Sequence, residues 1–106
     1  MTNAREKGKR GERELAKLLK GYGYDCRRGQ QYCGASGDAD VIGLPGIHIE
    51  CKRVESLNID KAMEQSVNDT KEGIPVVMHR KNDKPWKVTL LLDDFMKLYK
   101  AGDHDG

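Results

Sequence analysis

Apolar residues recur along this chain with two different periods. Leu15, Leu18, Leu19 and Tyr22 return at i, i+3, i+4 and i+7, the spacing of one helix face. They predict a first helix over about residues 8–21, stopped by Gly21 and Gly23. A short strand over residues 24–28 follows, and then GQQYCGASGD, a polar and glycine-rich stretch that reads as a loop. In GDADVIGLPGIHIECKR, residues 37–53, two apolar runs flank a turn at Pro45-Gly46, which predicts a hairpin. A second helix fits residues 58–71 with Ile59, Ala62, Met63 and Val67 inward. IPVVMHR and WKVTLLL predict two more strands joined by the turn KNDKP. A last helix starts near Asp93, a candidate N-cap, and carries Phe95, Met96, Leu98 and Tyr99. Residues 1–7 and 101–106 read as frayed tails. The order α-β-β-β-α-β-β-α predicts a single α/β domain over residues 1–106, a mixed β-sheet with flanking helices.

Composition changes this picture mainly through charge. The 106 residues are 37% hydrophobic and 34% charged, so one modest core carries a very polar surface. Net charge is only +2, but nine bases and four acids lie between Arg5 and Arg28. Such a block attracts a polyanion, or is simply a solvated helix face. The three cysteines, Cys26, Cys33 and Cys51, have no paired spacing and read as reduced thiols rather than a disulfide framework or a zinc site. No apolar run reaches membrane length and no signal peptide opens the chain, which predicts a soluble, intracellular protein located in the cytoplasm.

The hairpin raises the chemical question. Its strands look like core, yet Asp38 and Asp40 precede the first and Glu50 and Lys52 close the second. Side chains alternate along a strand, so Ile47, Ile49 and Cys51 share one face and His48, Glu50 and Lys52 the other. Antiparallel pairing through Pro45-Gly46 brings Asp40 beside Glu50. Two carboxylates and a lysine then converge on one patch. Carboxylates that close raise each other's pKa unless a cation lies between them, and Mg²⁺ typically takes one or two carboxylates plus water and phosphate oxygens. Lys52 could hold an attacking water or stabilise charge growing on a phosphate; the bland alternative is a surface ion pair, nearly neutral in energy. On the first helix, Glu12 lies about 60° from the centre of the apolar stripe, pointing partly inward. Gly8 and Gly11 fall on the stripe's own line, where backbone could approach another surface.

Glu12, Asp40 and the run Glu50-Cys51-Lys52, in that order, resemble the E…D…E-x-K pattern of the PD-(D/E)XK nuclease superfamily. Within it, KGKRGERELAKLLKGYGYDCRR resembles the opening helix and first strand of the archaeal-type Holliday-junction resolvases and their small phage-encoded relatives. The resemblance covers roughly residues 7–92 and implies a restriction-endonuclease-like fold. It implies Asp40, Glu50 and the main-chain carbonyl of Cys51 as metal ligands, Glu12 touching the metal through water, and Lys52 orienting water. It implies Mg²⁺ as cofactor, with Mn²⁺ substituting. Arg28 matches a basic residue used on DNA phosphate, with Lys9, Arg10, Arg13 and Arg27 in the same basic stretch. Ser36 falls where relatives carry a loop serine, and Gln65 resembles a helix glutamine of some branches. Ala39 replaces the motif proline.

The expectation is therefore a metal-dependent DNA endonuclease acting on branched DNA, in the manner of a junction resolvase serving recombination. Two-fold symmetric junctions need two symmetric cuts, which implies a homodimer; Trp86, Phe95, Leu98 and Tyr99 are candidate interface residues. A nicking or flap nuclease of the same fold is the second enzymatic reading. A catalytically silent DNA-binding module is the reading from another class.

Overall fold

A computed structural model describes residues 4–29 and 39–102, with side chains from residue 8 onward. Eight elements follow in the expected order: α1 (Ala4–Gly21), β1 (Arg27–Arg28), β2 (Val41–Ile42), β3 (Ile47–Arg53), α2 (Ile59–Asp69), β4 (Ile74–Arg80), β5 (Lys87–Leu90) and α3 (Leu92–Ala101). The strands form one sheet in the order β1-β2-β3-β4-β5. All neighbours are antiparallel except β3 and β4, which run parallel with Glu50 opposite Val77 and Lys52 opposite His79. Helix α2 makes that crossover, as a parallel pair requires. The fold is α/β, a five-stranded mixed sheet flanked by helices, consistent with a restriction-endonuclease-like architecture.

Strand alternation separates two cores. Leu15 and Ala16 of α1 pack on Val41, Ile49, Val76 and Met78, while Ala62 and Met63 of α2 pack on Val77. Helices α1 and α2 therefore cover opposite faces of the sheet. The Pro45-Gly46 turn forms as expected: Gly46 takes φ +78° and the Ile47 amide donates to the Leu44 carbonyl at 3.2 Å. Gly46 is the residue that makes that left-handed geometry inexpensive.

Several details differ from the sequence expectation. Helix α1 begins at Ala4, inside the stretch expected to fray. Its buried line is Gly11, Leu15, Ala16 and, in part, Leu19. Leu18 lies on the flank of that line, and Tyr22, one residue past the helix end, is 73% exposed. In α2 the buried residue is Ser66, not the exposed Val67. The Ser66 hydroxyl donates to the Val76 carbonyl at 3.3 Å, so a small polar side chain is satisfied against β4. Helix α2 ends at Asp69, two residues early, and its N-cap Asn58 accepts from the Lys61 amide at 3.1 Å. Helix α3 starts at Leu92 with Leu91 as N-cap and no side-chain cap, so Asp93 lies in its first turn. There its charge still favours the helix dipole. Strand β1 is two residues rather than five, and β2 is confined to Val41–Ile42. Trp86, expected at an interface, is part of the core edge, and its indole donates to Glu14 Oε1 at 3.0 Å. The loop 30–38 and the tail 103–106 lie outside the described residues.

Candidate active site

Asp40 is held where β2 meets β3. Its amide donates to the Ile49 carbonyl at 2.9 Å, and its carbonyl accepts from the Gly29 amide at 2.9 Å. Val41 pairs with Ile49, which puts Asp40 level with Glu50, as antiparallel pairing through the turn requires. The Asp40 side chain then accepts from the Cys51 amide, 2.9 Å to Oδ2. A strand residue directs its N–H and C=O to the same edge, so the Cys51 carbonyl also faces the Asp40 side.

Glu50 is buried, with 6% of its surface exposed. Burial and the neighbouring Asp40, to which it is hydrogen-bonded, push its carboxyl up to about 7; Lys52 pulls the other way, and Asp69 of α2 adds to the rise. Glu12 reaches the same patch from α1. Burial and Asp40 raise its carboxyl, and this outweighs the hydrogen bond from Arg28, whose Nε donates to Oε1 at 3.0 Å. The Cys51 thiol registers the same field. Burial, then Asp40, Glu12 and Glu14, push it up to about 12, so it stays a protonated, small apolar group packed on the core.

Glu12, Asp40, Glu50 and Cys51 thus gather around one end of the β2–β3 pair, with Lys52 next in the strand. Among the described residues no three His, Cys, Asp or Glu side chains form a ready metal cage. The donor set is two carboxylates and a main-chain carbonyl, all oxygen, which suits a hard oxygen-seeking cation that keeps part of its hydration shell. Burial of the Glu50 charge and its repulsion by Asp40 lift the carboxyl, and both are relieved by such a cation. The residues fit Mg²⁺ or Mn²⁺ in that sense.

A basic cleft adjoins the site. Arg13, Lys17 and Lys20 of α1 line it together with Arg27 and Arg28 of β1, around a cavity of about 350 Å³. Arg28 therefore serves two neighbours, Glu12 and the cleft. Lys9 and Arg10 lie one turn before Arg13 on the same helix and do not line it. Gln65 is exposed on α2. Ser36 lies outside the described residues.

Two contributors were not expected. Asp69 follows Gln65 by one helical turn and acts on Glu50 electrostatically; only the docking of α2 on the sheet brings it there. Glu14 ties α1 to the β4–β5 end of the sheet face it covers, accepting from Arg80 and from Trp86, with Arg53 Nε at 3.8 Å. Beside it, α1 crosses β3 so closely that a Cβ on Gly11 would stand 2.5 Å from the Arg53 Cβ. This contact sets the height of Glu12 above the strand.

A family model described as "Phage putative PDDEXK endonuclease" matches residues 3–105. No curated protein matches the chain.

Proposed function

The chain belongs to this family of phage PDDEXK endonucleases, and from that membership we propose that it is a Mg²⁺-dependent endonuclease that hydrolyses phosphodiester bonds in branched DNA. The family makes it a nuclease with DNA as substrate. The observation that carries the cation dependence is the hydrogen-bonded pair Asp40–Glu50, with Cys51 presenting its amide to Asp40 and Lys52 following; branched DNA rests on the resemblance of α1 and β1 to the junction resolvases. In this reading Asp40, Glu50 and the Cys51 carbonyl hold the cation, and Glu12 orients a water beside it. Bound there, the ion supplies a polarised phosphate and a water of lowered pKa. Lys52 holds the attacking water and balances charge that grows on the phosphate. Mn²⁺ substitutes, because the ligands are hard oxygens that suit both ions. Lys9, Arg10, Arg13, Arg27, Arg28 and Ser36 grip the DNA backbone. Gln65 is the least supported member of the set, being exposed on α2.

The enzyme acts in this proposal as a homodimer on a four-way junction in phage recombination, in the cytoplasm. Among the described residues no helix is long and apolar enough to cross a membrane. The apolar side chains of α3 support a second copy: Phe95, Leu98 and Tyr99 are exposed, and α3 buries none of its own residues. The test offers labelled four-way junction, fork, flap, nicked and linear duplex with Mg²⁺ or Mn²⁺, alongside light scattering with and without junction. Paired symmetric cuts in the junction by a dimer are expected. Cuts at nicks or flaps by a monomer would replace the resolvase reading with a nicking or flap nuclease, and binding without any cleavage would mean a silent module.

The basic cleft makes its own prediction. Reversing Arg13, Lys17 and Arg27 to Glu should weaken binding of every DNA form and flatten the salt dependence. The log–log slope should fall by about 0.9 for each phosphate that the protein no longer neutralises. A slope unchanged from wild type would mean that this stretch is only a solvated face.

A further inference from the structure

A second basic concavity lies at the β4–β5 hairpin, across the strand order from the basic cleft of α1 and β1. Leu57, Ile59, His79, Arg80, Lys81, Lys84, Pro85 and Lys87 enclose about 300 Å³. Between His79 and Lys87 the chain carries four bases, Arg80, Lys81, Lys84 and Lys87, against one acid, Asp83.

The hairpin turn is held from outside itself. The Asn82 amide donates to Glu55 Oε2 at 2.6 Å, and Arg53 Nη1 donates to Asn82 Oδ1 at 2.7 Å. Arg80 Nε donates to the Lys84 carbonyl at 2.6 Å, while its Nη1 meets Glu14. Asp83 takes φ +60°, the left-handed conformation that aspartate tolerates in a tight turn. An ordinary exposed hairpin needs none of these restraints. Here they fix the backbone that carries Lys81 and Lys84 beside Lys87 around one hollow, so that binding has only the side chains left to order.

The register connects this hollow to the site. Lys52 lies opposite His79, and His79 opposite Lys87. Pairs in register share a face, so Lys52, His79 and Lys87 form a row across three strands on the face that carries Glu50. Two strand spacings separate Lys52 from Lys87, about 10 Å, a span that covers about three nucleotides when measured along the duplex axis at a rise of roughly 3.4 Å each. Burial and Lys87 hold His79 below its ordinary range, and its Nε2 is hydrogen-bonded to Thr89 Oγ1 at 2.9 Å. The positive charge of the row therefore comes from the lysines.

We propose that the β4–β5 hairpin is a second DNA-backbone site: Lys81, Lys84 and Lys87 hold phosphates of the strand that runs through the active site, a few nucleotides from the scissile bond. This rests on the nuclease reading and extends it, since α1 and the hairpin then grip DNA on both sides of Asp40 and Glu50. Arg80 is the positioning residue, engaged by Glu14 and by the Lys84 carbonyl.

The test uses full-length protein carrying Asp40→Asn, so that DNA survives, and measures binding of a short duplex and a four-way junction across a salt series. Adding Lys84→Ala and Lys87→Ala should reduce the salt slope by about 1.8, for two phosphates, and weaken binding about tenfold or more at moderate salt. Lys97→Ala with Lys100→Ala, on α3, should change neither. All four lysines are exposed, so melting temperatures should stay level and report that the fold is kept. If Asp40→Asn protein binds DNA and the hairpin variant keeps its slope and affinity, the inference is overturned and the nuclease reading stands. If Asp40→Asn protein binds no DNA at all, both fall.

Discussion

Asp40→Asn or Glu50→Gln is expected to lower the rate of DNA cleavage by about three orders of magnitude or more, equivalent to at least about 4 kcal/mol of transition-state stabilisation. Each carboxylate is one of only two in the proposed cation site, and an amide carries no charge to hold the ion. DNA binding should persist or tighten, because one negative charge less faces the phosphates. The Asp40→Asn variant keeps an acceptor for the Cys51 amide, so the strand junction stays formed. Cleavage at the wild-type rate in saturating Mg²⁺ would show the site to be misassigned.

The same Glu50→Gln change should stabilise the metal-free protein, and the sign follows from titration. In the fold the Glu50 carboxyl sits at about 7, against 4.5 for the ordinary group. Between those values the folded chain keeps a proton that the unfolded chain has released. Stability therefore falls as pH rises from 4.5 through 7, and levels off above. The amide of the Glu50→Gln variant stays neutral and removes that loss. Melting temperatures in a chelator should be nearly equal for the two proteins at low pH. Above neutrality the variant should melt higher by several degrees, since 1 kcal/mol is worth about 4–8 °C in a domain of this size. A variant that melts lower than wild type at high pH would mean that Glu50 is stabilised as the anion by a partner.

The second large effect is expected at Gly11, compared with Gly8 three residues earlier. A Cβ at Gly8 would meet nothing within 4 Å, whereas at Gly11 it would stand 2.5 Å from the Arg53 Cβ. Gly8→Ala should follow helix propensity alone and stabilise by up to about 1 kcal/mol, with cleavage unchanged. Gly11→Ala gains the same propensity but forces α1 away from β3, a cost of about 1–3 kcal/mol. The net change is neutral to destabilising. The larger effect is on rate, because Glu12 is the next residue and a displacement of about 1 Å at a reacting group can cost about a hundredfold. Denaturant melts and cleavage assays on both variants check this. Equal behaviour of the two would mean that the crossing does not set the position of Glu12.

Much of the candidate site was legible because its geometry is local. The Pro45-Gly46 turn and the alternation of β3 together determine that Asp40 meets Glu50 and that Lys52 shares the Glu50 face. These residues lie within one hairpin, so turn chemistry and period-two patterning suffice. The helices were legible from periodicity, but their buried faces only approximately. The choice of Ser66 over Val67, or the exposure of Leu18, depends on where the sheet meets the helix.

What the chain could not reveal in this way is whatever joins distant segments. The parallel pairing of β3 with β4 depends on α2 crossing over, and it sets Lys52 beside His79, to which the β4–β5 pairing adds Lys87. Glu14 meets Arg80 and Trp86 across 66 and 72 residues, so no local pattern marks Glu14 as a junction or Trp86 as core. The hairpin lysines read as an ordinary polar turn until Glu55, Arg53 and Arg80 are seen to hold it. The sequence by itself determined the elements, their order and the carboxylate pair, because those depend on backbone preference and short-range pairing. The tertiary structure decided burial, electrostatics and the second basic hollow, because desolvation and charge proximity are properties of packed surfaces rather than of neighbours in the chain.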